Sequence, residues 1–185
     1  MLLEQDRQRG AGRKGPALLP ARPSLRLRRI LVPVDFSPHA RGAVTVAAAL
    51  ARHLGAELLV LHVIPDEEVR AIARSRLARR GLDAILEDLG QAVEEHARNA
   101  AGLGQDGDPL LHALAVSGLP AEGILRAAWR LEADLIVMAT HGRTGLAHVV
   151  MGSVAEDVLR RAPCPVLTIR PSSGDAPTRR TAPAA

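Results

Sequence analysis

Apolar residues recur along this chain with two alternating periods. RRILVPVDF (28–36) is a β-branched apolar run and predicts a buried strand. Ser37 and Pro38 follow as a helix cap and a first-turn proline. Ala43, Val44, Ala47, Leu50, Ala51 and Leu54 then continue at helical spacing, and Gly55 closes that helix. AELLVLHVI (56–64) predicts a second strand. Residues 66–103 are mostly polar, with Ile72, Leu77, Leu82, Ile85, Leu86, Leu89 and Val93 on one stripe. This predicts one long helix or two shorter ones, broken near Gly81 or Gly90. After the loop AGLGQDGDP come a strand at PLLHALAV (109–116), a helix from Pro120 to Leu131, a strand at ADLIVMAT (133–140), a helix from Ser153 to Arg161 and a last strand at CPVLTIR (164–170).

Strand and helix alternate five times with no internal repeat of the domain. That order predicts an α/β domain with a parallel sheet and helices on both faces. Ligands of such sheets bind outside the carboxyl ends of the strands, where strand order reverses. The flanking segments 1–28 and 171–185 mix Arg, Gly, Pro, Ser and Ala without a stable period and are expected to be a disordered basic arm and a disordered tail around a domain at 29–170.

Composition changes the picture in two ways. The chain is 47% hydrophobic but has one Trp (Trp129), one Phe (Phe36) and no Tyr. Such a core is aliphatic strand under Ala-rich helix, and it lacks the aromatic platforms that single-stranded nucleic acid stacks on. The net charge of +4 divides unevenly: residues 1–29 carry eight Arg or Lys and two acids, whereas residues 30–170 carry 14 Arg and 17 acids. The body is slightly acidic, so the high isoelectric point marks no basic binding face. Cys164 is the single cysteine, lies between Pro163 and Pro165, and reads as a small buried hydrophobe. No apolar run approaches a membrane span and no secretory signal opens the chain, so a cytoplasmic location is expected. The Arg-rich amino terminus superficially resembles an organelle presequence.

Among phosphate-site signatures, GLGQDG (102–107) fits G-x-G-x-x-G but follows a helix and precedes a strand, the reverse of a dinucleotide loop; it reads as a helix-to-strand turn. The only lysine is Lys14, in the basic arm, so the chain has no P-loop, and it carries no G-x-S-x-G elbow. MATHGRTGLAHVVMGSVAEDVLRR (138–161) is the informative segment. Gly142 admits close approach of a phosphate to the backbone, and Gly152 and Ser153 open a helix whose first N–H groups suit an anion. Ser153 and Glu156 equally spell a capping box. His141 and His148, seven apart, have no metal-ligand spacing, and no metal site is expected. His62 reads as a core histidine. Glu94, Glu95 and His96, and the Arg cluster at 74, 76, 79 and 80, read as solvated faces.

That same segment resembles the universal stress protein family, whose nucleotide-binding members carry G-x-x-G, nine residues, then G-S or G-T. Here Gly142, nine residues and Gly152–Ser153 match, while Ala139 stands at the first glycine. ILVPVDFSPHA (30–40), LLVLHVI, GLPAEGIL, ADLIVMATHGRTGL and CPVLTIR are similar to that family in the same order, over residues 29–170. The resemblance implies a doubly wound five-stranded parallel sheet of order 3-2-1-4-5. It implies that Asp35 accepts hydrogen bonds from adenosine, with Pro33 and Val34 shaping its pocket. It implies that Val63 offers backbone groups to the adenine edge and that Met138 packs near the sugar or base. Ala139, Gly142, Arg143, Gly152, Ser153 and Val154 would then line the phosphate cradle. It further implies ATP as ligand, with or without magnesium, and a homodimer through Val166, Leu167, Thr168 and Ile169 of the fifth strand. A helix-start acid is the plainer reading of Asp35.

The expected function is a dimeric, ATP-binding stress-response sensor or adaptor rather than an enzyme, acting on a protein partner. The alternatives are a nucleotide-free dimeric interaction module, suggested by Ala139, and a slow nucleotide hydrolase using His141, Asp35 or Arg143. Nucleic-acid binding would rest on the charge of the arms alone.

Overall fold

The computed structural model describes residues 26–74, 81–104, 108–140 and 151–170. The elements are β1 (Arg29–Val34), α1 (Pro38–Leu54), β2 (Glu57–Ile64), α2 (Asp66–Arg74), α3 (Gly81–Ala101), β3 (Leu111–Ser117), α4 (Pro120–Arg130), β4 (Leu135–Ala139), α5 (Ser153–Arg161) and β5 (Val166–Ile169). The helical stripe after β2 divides before Gly81, and Gly90 lies inside α3 without breaking it. The two ends of α1 follow the expected chemistry. Ser37 Oγ accepts from the Ala40 N–H at 3.2 Å, and Gly55 ends the helix in the left-handed region at φ 64°.

The five strands form one parallel sheet in the order β3-β2-β1-β4-β5, as expected. Side chains alternate across it. Ile30, Val32, Leu58 and Val60 point to α1 and α3, whereas Leu31, Leu59, Leu61 and Ile136 point to α4 and α5. Most of these side chains are wholly buried, each contributing roughly 1.5–3 kcal/mol of transfer free energy. Small residues set the helix-to-sheet spacing: Ala43, Ala47, Ala48 and Ala51 bring α1 close on one face. On the other face Gly123 of α4 lies against Val63 of β2 so tightly that a Cβ there would sit 2.8 Å from Val63 Cγ1 and 2.9 Å from Cγ2.

The seam between β1 and β4 is short. β1 registers with β2 over all six residues, Arg29 to Val34, but with β4 only at Ile30 and Leu31. The Arg28 carbonyl accepts from Glu57 on the β2 side and the Arg29 carbonyl from Asp134 on the β4 side. Alternation then turns the backbone groups of Leu31 and Pro33 toward β4. Pro33 has no N–H to donate, and the ladder stops before it. At the opposite end the seam is clamped: Asp134 Oδ2 accepts from the N–H groups of Arg28 (2.7 Å) and Arg29 (3.0 Å), and Arg29 Nη1 donates to the Leu131 carbonyl (3.0 Å).

Beyond β1 the chain turns sharply. Phe36 adopts φ 61°, a left-handed conformation that is strained for a bulky residue. Its ring rests between two imidazoles, 4.7 Å from His62 and 5.2 Å, edge-on, from His96 of α3. His96 therefore corrects the expectation of a solvated face. Its ring turns inward against Phe36, and its Nε2 is shut off from solvent without a hydrogen-bond partner. Burial, with the Arg41 charge assisting and the Asp35 charge opposing, holds His96 below its ordinary value of 6.5.

Two outcomes follow from this packing. Gly→Ala inside a helix ordinarily gains about 0.5–1 kcal/mol, but at Gly123 the new methyl must displace Val63, and overpacking costs roughly 1–3 kcal/mol. Gly123→Ala is expected to lower the denaturant midpoint at unchanged slope; a raised midpoint would show that α4 moves freely on β2. For His96, the folded state binds its proton less readily than the unfolded state. Its contribution to stability is complete above 6.5 and is lost as the pH falls from 6.5 through the lower folded value. Urea unfolding across that window should show a smaller loss of stability in His96→Leu than in the wild type; equal losses would refute the assignment.

Candidate functional site

Where β1 and β4 part, a crevice of about 560 Å³ opens at the carboxyl edge of the sheet. Its floor comes from strand ends: Pro33 and Val34 of β1 with Asp35 just after it, Leu61, His62 and Val63 of β2, and Met138 and Ala139 of β4 with Thr140 just after it. Gly152, Ser153, Val154 and Ala155 of α5 form one wall, Pro120 and Ile124 of α4 another, and Pro65 and Glu68 close the side beyond β2. The crevice therefore lies where the chain reverses its direction of building the sheet, the position at which α/β sheets hold ligands.

Asp35 sits one residue past β1, and its Oδ1 accepts from the Ser37 N–H at 3.0 Å. This local turn fixes the carboxylate while Ser37 caps α1. The helix-start acid expected as the plainer reading is thus partly realised, because Asp35 organises the turn into α1; its carboxylate also lines the crevice. His62 is 7% exposed and its Nδ1 lies 2.8 Å from the Val34 carbonyl. A carbonyl only accepts, so Nδ1 carries the proton. The reading of His62 as a satisfied core histidine holds, and the ring also reaches the crevice wall.

The start of α5 departs from the sequence reading. Ser153 and Glu156 form no capping box. Gly152 occupies the cap position in extended conformation and, having no side chain, supplies no side-chain cap. Ser153 is already helical, and the Glu156 carboxylate instead accepts from Arg160 at 2.8 Å. Gly152 donates its N–H to the Thr140 carbonyl at 2.8 Å, which ties the helix start to the end of β4. Its φ of −73° is open to any residue, so conformation does not require glycine there. Without a side chain, Gly152 itself places nothing over the first turn of α5. The result is a helix amino end, with its positive dipole end, that begins at a glycine bordering the crevice.

Of the residues singled out in the sequence, Pro33, Val34, Asp35, Val63, Met138, Ala139, Gly152, Ser153 and Val154 converge on this crevice. Gly142 and Arg143, with His141 and His148, lie outside the described residues, as do the arginines at 76, 79 and 80. Val63 is the penultimate residue of β2 rather than its end. Sequence reading did not single out Thr140, Pro65, Glu68, Pro120 or Ile124. Pro65 and Pro120 follow β2 and β3 within a few residues, so the rule that sites gather at carboxyl ends could have found them. Glu68 carries no motif; its signal is only its place in the first turn of the helix after β2.

Cys164 is half-buried rather than buried as expected, packed against the margin of the cluster under α4 and α5, where partial burial, aided by the Asp134 charge and opposed by a hydrogen bond from the Ile136 backbone, pushes its thiol up. Among the described residues no group of three or more His, Cys, Asp or Glu could hold a metal ion, and no helix is long and apolar enough to cross a membrane.

The profile of the universal stress protein family matches residues 26–170. A universal stress protein of Thermus aquaticus is 38% identical over 146 residues, covering 77% of this chain and 98% of its own length. The structure of the universal stress protein UspA from Lactobacillus plantarum superposes with a TM-score of 0.56 at 34% identity, over 78% of this chain and 99% of that one. A more distant family protein of Arabidopsis thaliana, solved with AMP bound, shares the fold at 21% identity and a TM-score of 0.52, over 82% of this chain and 97% of that one. With the sheet order, the switch-point crevice and these matches in agreement, the chain belongs to the universal stress protein family.

Proposed function

We propose that this protein binds an adenine nucleotide, ATP or a close relative, in the crevice between β1 and β4, and acts as a dimeric regulatory sensor or adaptor in the cytoplasm rather than as an enzyme. One observation carries the reading. The amino end of α5, whose cap residue Gly152 supplies no side chain, borders a crevice that is also lined by Asp35, whose Oδ1 accepts from the Ser37 N–H. A helix amino end suits phosphate, and a fixed carboxylate suits the two hydroxyls of a ribose. The crevice volume of about 560 Å³ is of the size that holds a small organic ligand. The AMP found in the Arabidopsis relative supports the same class of ligand.

Pro33, Val34, Met138 and Val63 would enclose the nucleoside, and Ala139, Gly152, Ser153 and Val154 would border the phosphates, joined by Gly142 and Arg143. A magnesium ion would arrive with the phosphates. Ala139 does not fill the crevice, which favours occupancy over the nucleotide-free alternative. The only lysine is Lys14, so no P-loop lysine can stabilise a transferring phosphoryl group, and any hydrolysis is expected below ~0.1 per second, against a median enzyme near 10.

The homodimer would form along β5, which lies at the edge of the described sheet. The carbonyls of Pro165 and Ile169 accept from β4, at Ile136 and Thr140. Alternation then turns the backbone groups of Val166 and Thr168 outward, where a second copy could pair with them. Leu167 is 37% exposed and would be covered at the same time, with Ile169 beside it.

Calorimetric titration of ATP into nucleotide-stripped protein is expected to give a dissociation constant on the order of micromolar. Asp35→Ala and Gly152→Val should each weaken it at least about tenfold, the first by removing a charge-assisted acceptor and the second by covering the start of α5. No heat from folded wild type would leave the nucleotide-free module as the better reading. Thr168→Pro removes an outward N–H and no bond to β4, so light scattering should find a folded monomer where the wild type is a dimer. A Thr168→Pro dimer would move the interface elsewhere.

A further inference from the structure

The polar side chains lining the described crevice divide by position. Ser153 lies at the start of α5 and Thr140 beside it after β4; Asp35 lies at the centre after β1; His62, in the floor, spends its Nδ1 proton on the Val34 carbonyl. Glu68 alone stands on the far side, in the first turn of α2. The residues between it and the centre, Val63, Pro65, Pro120 and Ile124, are apolar. If phosphate takes the α5 end and ribose the centre, the apolar side left for the base is the one that Glu68 also lines.

We infer that Glu68 selects the base of the bound nucleotide, favouring a base with an exocyclic amino group over its keto counterpart; this rests on the nucleotide reading above. An ionised carboxylate only accepts hydrogen bonds. The 6-amino group of adenine donates to it, whereas the 6-keto oxygen of hypoxanthine would face it acceptor against acceptor. Specificity of this kind comes as much from the mismatch as from the match. Glu68 is exposed, so the preference is the worth of one solvent-accessible hydrogen bond, up to about tenfold. The backbone holds Glu68 in place: its N–H donates to the Pro65 carbonyl at 2.9 Å, which starts α2 directly at the crevice.

The test compares AMP with IMP, which differ at that position and share the same phosphate, so phosphate contacts cancel in the ratio. Dissociation constants are measured for wild type, Glu68→Gln and Glu67→Gln, with thermal midpoints to verify folding. Wild type is expected to prefer AMP by about five- to tenfold. Glu68→Gln should bring the ratio to about one, because an amide can turn to donate or accept, and Glu67→Gln, on the same turn but outside the crevice lining, should keep it. A wild-type ratio near one, or a preference that survives in Glu68→Gln, would overturn the role of Glu68 while leaving the nucleotide site standing. Folded wild type that binds neither AMP nor ATP would overturn the nucleotide reading and this inference with it.

Discussion

The hydrogen bond that Pro33 cannot make governs this molecule. A proline in a central strand ordinarily argues against the strand, because it breaks a ladder on a side that must be paired. Here the broken side faces β4, across the one place in the sheet where neighbouring strands are not neighbours in direction of winding. The β2 side keeps its full register, so β1 remains a strand. The β4 side lets go after Leu31, and the two strands are free to part. At the amino end the same seam is closed by Asp134, whose carboxylate collects two backbone N–H groups, and by Arg29. A seam pinned at one end and released at the other makes a crevice without disturbing the core beneath it.

The two edges of the sheet differ accordingly. At the amino edge Arg29 pairs with Glu57 and Glu132 as well as with backbone, and polar groups find partners. At the carboxyl edge the chain tolerates features that cost stability. Phe36 is held in a left-handed conformation by ring contacts, His96 buries a nitrogen without a partner, and α5 begins at a glycine that supplies no side-chain cap. Gly123 removes a side chain so that α4 reaches Val63 at the crevice wall. Each is individually worth on the order of 1 kcal/mol or somewhat more. Their gathering along one edge is the pattern expected where a ligand, rather than the fold, completes the structure.

Much of this was legible in the sequence, for identifiable reasons. The strands are uninterrupted aliphatic runs and the helices have regular apolar stripes, so element type and order could be read locally. Asp35 could be placed at the carboxyl edge because strand ends of a parallel sheet share it, while Val63 and Met138 were placed there by the family resemblance alone. The failures share a different cause. Ser153 and Glu156 have the spacing of a capping box, but that motif needs Ser153 outside the helix, and the tie from Gly152 to Thr140 starts the helix one residue too early for it. His96 sits beside Glu94 and Glu95 on a polar stretch. Only the turn at Phe36, sixty residues away, brings an aromatic ring to it. Glu68 gains its place from α2 bending over the end of β2, which no periodicity reports.

Charge along the crevice then follows from topology rather than from composition. Residues 30–170 carry more acids than bases, and two of those acids, Asp35 and Glu68, line a crevice read as receiving a polyanion. The arrangement is consistent because the acids lie toward β1 and α2, while the positive end of α5 stands on the opposite wall. A carboxylate repels phosphate but welcomes hydroxyl and amino donors, and a helix start does the reverse. A nucleotide entering base-first toward α2 satisfies both; turned around, it would set phosphate against Glu68 and leave the α5 amides facing an apolar base. The sheet order places the starts of α2 and α5 on opposite sides of β1, so the same topology that opens the crevice also sets its acidic side apart from its helix-dipole side.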